Sequence, residues 1–152
     1  MARKLRIRNL AAKEDPVVVV RSSVLERERT VYFQVADKPV PYELGRNRIV
    51  YIGATGIGSD RIMSSIAERI PDAFKIRGVN TIEVHEIACA PRQRVKTWWV
   101  LERACLLIFK ETYGEPPRLN THGTGLWWTN EARYFDLDQL RGLLRRYEKL
   151  GG

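Results

Sequence analysis

Apolar positions recur along this chain in two rhythms, one of period two and one near 3.6, and their order predicts the elements. Val17–Val20 is a short apolar run that reads as a strand, and Val31–Ala36 (VYFQVA), rich in β-formers, reads as another. Asp37–Gly45 contains Pro39, Pro41 and Gly45 and is expected to be a loop, with Arg48–Ile52 (RIVYI) a third strand beyond it. Gly53, Gly56 and Gly58 then turn the chain, and Ser59 or Asp60 caps a helix running to about Ile70. Ile62, Ile66 and Ile70 mark the core face of that helix. Arg61, Ser65 and Arg69, each one residue earlier, mark a wet face, and Pro71 closes the pattern. Thr81–Ala90 reads as a strand through Ile82, Val84 and Ile87. The longest helical pattern runs from about Val95 to Tyr113 and is stopped by Gly114, Pro116 and Pro117. Asp136 or Asp138 caps a last helix with Leu140, Leu143, Leu144 and Tyr147 as its apolar stripe. With no regular βαβ alternation, the expected fold is α+β, a small, mostly antiparallel sheet flanked by helices in a single domain.

A chain of 152 residues can bury a core without disulfides or structural metal. Its apolar content of 44% and charged content of 29% are those of an ordinary globular protein. The charge balance changes the picture. Twenty-six Lys and Arg against 18 Asp and Glu give +8, which favours polyanions, either nucleic acid or an anionic membrane surface. The excess is densest at the N-terminus, where Arg3, Lys4, Arg6 and Arg8 cluster. Such an arm either tracks a phosphate backbone or protects an edge strand with its charges. Cys89 and Cys105 sit among apolar residues outside any CxxC pattern, and His85 and His122 are the only histidines, so a structural zinc site is not expected. Val17–Val20 is too short for a signal peptide or a membrane span. A cytoplasmic protein with no membrane partner is expected.

Glu102 is the most informative single residue. The helical stripe Trp99, Glu102, Leu106, Phe109, Tyr113 is otherwise apolar, and an ionised carboxylate there is costly unless a cation compensates it. Either it forms a buried salt bridge with Arg61 or another arginine, or it is a metal ligand or an acid/base. Tyr32 and Tyr51 taken singly are ordinary sheet tyrosines. Tyr51 ends a strand, however, and after the glycines Arg61 lies in the first helical turn, so phenol and guanidinium could face one concave site. Ile49–Gly58 (IVYIGATGIG) also has the strand-then-glycines look of a dinucleotide-binding turn, with Ser59 where a third spaced glycine is needed. Trp127, Trp128 and Tyr134 are either base-stacking residues or core.

Together these residues resemble the GIY-YIG nuclease superfamily. Thr30-Val31-Tyr32 takes the place of the first tripeptide, Tyr51-Ile52-Gly53 is the second intact, Arg61 follows Tyr51 by ten residues, Glu102 lies in a later helix, and Asn120 follows Arg118-Leu119. The resemblance spans Thr30 to Asn120, leaving a basic arm (1–29), a core (30–123) and a C-terminal extension with an amphipathic helix (124–152). It departs in three places: Thr30 replaces a glycine, the segment between the tyrosines is long, and Ser65 stands where many relatives have a histidine or tyrosine. The resemblance implies an endonuclease hydrolysing phosphodiester bonds, in DNA rather than RNA. Glu102 would hold Mg²⁺ (or Mn²⁺), Arg61 would clamp the phosphate, Tyr32 would act as base with Tyr51 orienting water, Asn120 would hold the site together, and Gly53 and Ser65 would support it. A protein partner or a second copy would supply specificity. The alternative is a catalytically weak or inactive nucleic-acid-binding module of the same fold.

Overall fold

A computed structural model of the chain describes residues 29–56, 59–121 and 125–150. Its elements are β1 (Thr30–Tyr42), β2 (Gly45–Thr55), α1 (Ser59–Ala73), β3 (Ile82–Ile87), α2 (Thr97–Tyr113), a single 3-10 turn at Glu131–Arg133, and α3 (Leu137–Arg145). The three strands form one antiparallel sheet in the order β2-β1-β3, so β1 is central. This is the α+β, single-sheet arrangement that the sequence pattern predicts. The dinucleotide-binding alternative finds no support here, because β2 pairs antiparallel with β1 and the described residues form no parallel βαβ unit.

The expected loop at Asp37–Gly45 is instead strand. β1 runs on to Tyr42, and Glu43 and Leu44 alone turn the chain into β2. Prolines are tolerated because β3 pairs with β1 only as far as Ala36, which leaves Pro39 and Pro41 on a stretch where, among the described residues, no third strand demands their missing N–H groups. The register slips between Val35 and Val40, and beyond it buried Val40 and Tyr42 alternate with exposed Pro41. The hairpin tip docks on the end of α2, where the Leu44 N–H donates to the Tyr113 carbonyl at 3.0 Å. Gly114 ends that helix at φ 84°, and a Cβ there would lie 2.8 Å from Glu43, so glycine is required twice over.

α2 is the packing centre. Leu101, Cys105, Ile108 and Phe109 bury themselves with Val31, Phe33 and Val35 of β1 and Leu140 and Leu144 of α3 in one cluster. Each such side chain contributes roughly 1.5–3 kcal/mol by leaving water. Asn47, wholly buried, ties three elements together. Its amide donates to the Tyr113 hydroxyl at 2.8 Å and the Leu144 carbonyl at 3.0 Å, while its oxygen accepts from the Ile49 N–H at 2.8 Å. Of the two caps that the sequence leaves open, Asp136 is the one used, accepting from the N–H groups of Asp138 and Gln139.

Two helical faces differ from expectation. In α1, Ile62 and Ser65 are buried and Arg69 is half-buried, while Ile66 and Ile70 are also half-buried. The buried stripe therefore follows 62, 65 and 69, and two members of the expected wet face turn toward the sheet. Pro71 lies inside α1, in its last turn, where a break in the hydrogen-bond ladder matters least. In α2, Trp99 is 57% exposed and leaves the apolar stripe, whereas Trp98 turns inward against Gly56.

Candidate active site at the open edge of the sheet

The pleat decides which side chains meet. Tyr32 pairs with Gly53 on β2 and with Glu86 on β3, while Gln34 pairs with Tyr51 and Val84. These residues share one face of the sheet. Phe33 lies on the other, meeting the Tyr147 ring edge-on with centroids 5.8 Å apart. α1 approaches the first face: Ser65 hydrogen-bonds to the Tyr32 phenol, and the Arg69 guanidinium lies 4.4 Å above the centre of the Tyr51 ring. The two phenols also hydrogen-bond to each other, with ring centroids 6.0 Å apart. Gly53 makes this possible. A Cβ at that position would lie 2.7 Å from the Tyr32 hydroxyl and 2.7 Å from the Tyr51 ring, so any side chain would force the phenols apart.

Among the described residues the outer edge of β2 carries no further strand, and its backbone is completed by other means. The Arg48 N–H donates to the Tyr147 carbonyl at 2.8 Å, and the Val50 carbonyl accepts from the Leu119 N–H at 2.9 Å. Asn120 then imitates a strand with its side chain alone: its oxygen accepts from the Ile52 N–H at 2.9 Å and its amide donates to the Ile52 carbonyl at 2.8 Å. The next outward group along the strand is the Ala54 N–H, which donates to the Glu102 carboxylate. Glu102 thus reaches the site from α2, around the open edge of β2.

Glu102 forms no ion pair among the described residues. Burial pushes its carboxyl up to about 7, with the Ala54 N–H pulling the other way. Among the described residues, neither Arg61 nor any other arginine supplies the salt bridge that would explain this carboxylate. Tyr32 is pushed up to about 12, chiefly by burial, with Ser65 holding it down and the Tyr51 phenol and the Glu102 carboxylate adding to the rise. A positive charge beside Glu102 and Tyr32 would reverse both shifts.

The fold therefore brings together Tyr32, Tyr51, Gly53, Ser65 and Glu102, with Asn120 one step along the same edge. Arg61 is exposed in the first turn of α1, one helical turn before Ser65 on the same stripe, and forms no ion pair among the described residues. Thr30, in place of a glycine, is fully buried and donates its hydroxyl to the Ile87 carbonyl of β3 at 2.8 Å. Arg3, Lys4, Arg6, Arg8, the Val17–Val20 run, Gly58 and His122 lie outside the described residues.

Several polar groups at the site were not evident as site residues in the sequence. Gln34 is wholly buried with neither amide atom partnered among the described residues, and Glu86 Oε1 and Arg69 Nε are likewise buried and partnerless. Only the period-two pattern on β1 could have marked Gln34, as a polar residue on a side that the structure buries. Cys105 is a core thiol that burial pushes up, and Cys89 is also free.

Among the described residues no group of three or more His, Cys, Asp or Glu converges on one point, so a protein cage for a metal is not built there. What Glu102 offers is a desolvated carboxylate with no cation paired to it among the described residues. That fits Mg²⁺ or Mn²⁺, hard ions that keep most of their waters and take one or two carboxylates. No protein-family model, curated protein or solved structure matches the chain. Among the described residues no helix is long and apolar enough to cross a membrane.

Proposed function

We propose that the protein is a metal-dependent endonuclease of the GIY-YIG kind, hydrolysing phosphodiester bonds in nucleic acid. The observation that carries this reading is Glu102: a carboxylate lifted to about 7 by burial, without a cation among the described residues, held beside a pair of hydrogen-bonded phenols. A fold gains nothing in stability from such a group, whereas a site that binds a cation and a phosphate does.

In this reading Glu102 holds Mg²⁺ (or Mn²⁺), which when bound supplies positive charge to the phosphate and to the leaving oxygen. Arg61, exposed at the start of α1, is free to meet the non-bridging oxygens with its planar fork. Tyr32 takes the proton of the attacking water on its phenol oxygen. At about 12 that phenol is protonated in the free protein, so its activation depends on added positive charge and on the Ser65 hydroxyl donating to its oxygen. Ser65 is thus a positioning residue for the base where relatives are expected to carry an imidazole or a second phenol. Tyr51, under the Arg69 guanidinium, orients the water. Asn120 positions Glu102 indirectly by fixing the β2 edge.

Cleavage of supercoiled plasmid and of labelled oligonucleotides, with Mg²⁺ or Mn²⁺ against EDTA, tests the proposal. Metal-dependent strand cleavage by wild type that is absent in Glu102→Ala and strongly reduced in Tyr32→Phe is the expected result. Undiminished cleavage by Tyr32→Phe would remove Tyr32 as base. Binding without cleavage by wild type would make the protein the inactive nucleic-acid-binding module, a reading favoured by the raised Tyr32 phenol, and Ser65→His would be the first variant to build.

A further inference from the structure

Beside the candidate site, between β3 and α2, lies a groove of about 630 Å³ whose lining includes Arg29, Cys89, Arg92, Val95, Thr97 and Trp98. We propose that this groove and the tryptophans at its rim bind single-stranded nucleic acid, phosphates against the cations and unpaired bases against the rings. The inference rests on the reading of the protein as one that acts on nucleic acid and narrows its substrate to strands or junctions with unpaired bases.

Charge carries the first part. Between Glu86 and Glu102 the sequence has no acidic residue, and it has Arg92, Arg94 and Lys96, all exposed. None of these three, nor Arg29, forms an ion pair among the described residues. Their turn is held by a bridge between Arg92 and Val95, and Arg94 sits at φ 62°, a conformation that glycine or asparagine adopts at less cost. The first turn of α2 adds its positive dipole end: the helix has no side-chain cap among the described residues, and Thr97 and Trp98 line the groove.

The rings carry the second part. Trp99 is 57% exposed and Trp127 is 67% exposed, unusual for so apolar a side chain. Trp99 also lines a second hollow of about 260 Å³ with Lys96 and Trp98. Trp127 is fastened to the same face of α2, its carbonyl accepting from Arg103, one turn beyond Trp99, at 2.7 Å. Arg29, which lines the groove, is stacked 4.8 Å above the Trp98 ring. A duplex hides the faces of its bases, whereas a single strand presents them, so cations interleaved with exposed indoles suit the single strand. Trp98 touches Gly56, and Glu102 lies one turn after it, so a strand in the groove would lead to the phenols.

The test is metal-free binding, with EDTA present, of labelled oligodeoxyuridylate, oligouridylate and a duplex of equal length to the whole chain. Single strands should bind more tightly than the duplex, and the two single-strand arms show whether the sugar is discriminated. Trp99→Ala should weaken single-strand binding roughly 5- to 150-fold, the range of one lost base stack. The triple variant Arg92→Gln, Arg94→Gln, Lys96→Gln should reduce the slope of log affinity against log salt by about 2, three phosphates at ~0.7 each. All four side chains are exposed, so the variants should keep the wild-type denaturation midpoint. Equal or tighter duplex binding, or unchanged affinity in Trp99→Ala together with an unchanged salt slope, would overturn the inference. Because no cleavage is scored, single-strand preference in a protein that never cuts would sink the nuclease reading and leave this one standing. Metal-dependent cutting without that preference would do the reverse.

Discussion

If Glu102 is an unpaired carboxylate, it should destabilise the fold at neutral pH, and removing its charge should stabilise the protein. Burial raises its carboxyl from an ordinary 4.5 to about 7. That rise spans about 2.5 pH units, which at ~1.36 kcal/mol each is about 3 kcal/mol in favour of the neutral form. Because the side chain keeps some contact with solvent, about 1–3 kcal/mol is the expected range. Between pH 4.5 and 7 the native state binds the extra proton, so stability falls as pH rises through this window and levels off above it. Glu102→Gln keeps the shape and can still accept from the Ala54 N–H, but never ionises. Urea denaturation of both proteins in EDTA at pH 5, 6, 7 and 8 should show the variant gaining about 1–3 kcal/mol on wild type from pH 5 to 8. Adding Mg²⁺ at pH 8 should raise the wild-type midpoint and leave the variant unmoved. A stability difference constant to within about 0.5 kcal/mol over that range would refute the argument, since it would mean that the carboxylate is already compensated.

Gly53→Ala should lower stability by about 1–3 kcal/mol, because a Cβ 2.7 Å from both phenols forces them to shift; its loss of cleavage should match that of Tyr32→Phe, and full activity would mean that the phenol pair is not the catalytic geometry. Asn120→Ala leaves the Ile52 N–H and carbonyl without their partners and should cost about 2–4 kcal/mol, two groups at ~1–2 each; a loss below about 0.5 kcal/mol in denaturation would show that water replaces the amide. Glu131 behaves oppositely to Glu102. Against burial, which pushes it up, the Thr129 N–H, its own N–H, the Thr129 hydroxyl and the Arg103 guanidinium hold its carboxyl down at about 2. Its contribution is therefore complete above pH 4.5 and lost as pH falls toward 2, so the deficit of Glu131→Gln relative to wild type should shrink between pH 5 and pH 3, and a constant deficit would refute the pairing.

The strands and helices were legible because their periodicities survive folding, but three features were not. Pro39 and Pro41 signal a loop by their chemistry, yet a strand whose neighbour has ended at Ala36 needs no N–H there. The α1 stripe differs from expectation because Ser65 and Arg69 are polar, and a hydropathy pattern cannot foresee that a phenol will accept from one and an aromatic face will lie beneath the other. The exposure of Trp99 was hidden for the converse reason: helical spacing puts it on one stripe with Leu106, Phe109 and Tyr113, which are buried, while Trp99 stands in the first turn of α2, where the stripe has left the core. Tyr32, Tyr51, Gly53 and Glu102 could be singled out because the resemblance gives an order and spacing. The contribution of Gln34 and Glu86 could not, since it depends on which cross-strand partners the register assigns them.

Stability and cleavage should therefore respond to different substitutions with different signs, and this is more discriminating than either measurement alone. The outer edge of β2 is completed by Tyr147, Leu119, Asn120 and Glu102 in turn. The first three contribute neutral hydrogen bonds and cover an edge that would otherwise invite pairing with another chain. The fourth does the same job with a charge, although a neutral glutamine would do it at lower cost. If the edge existed only to be covered, Asn120→Ala and Glu102→Gln would differ in size but not in kind. If it also presents a cation ligand to the phenols, Asn120→Ala should lower both stability and cleavage, while Glu102→Gln should raise stability and abolish cleavage. A stabilising substitution that removes activity is what a site retained against the interest of the fold requires.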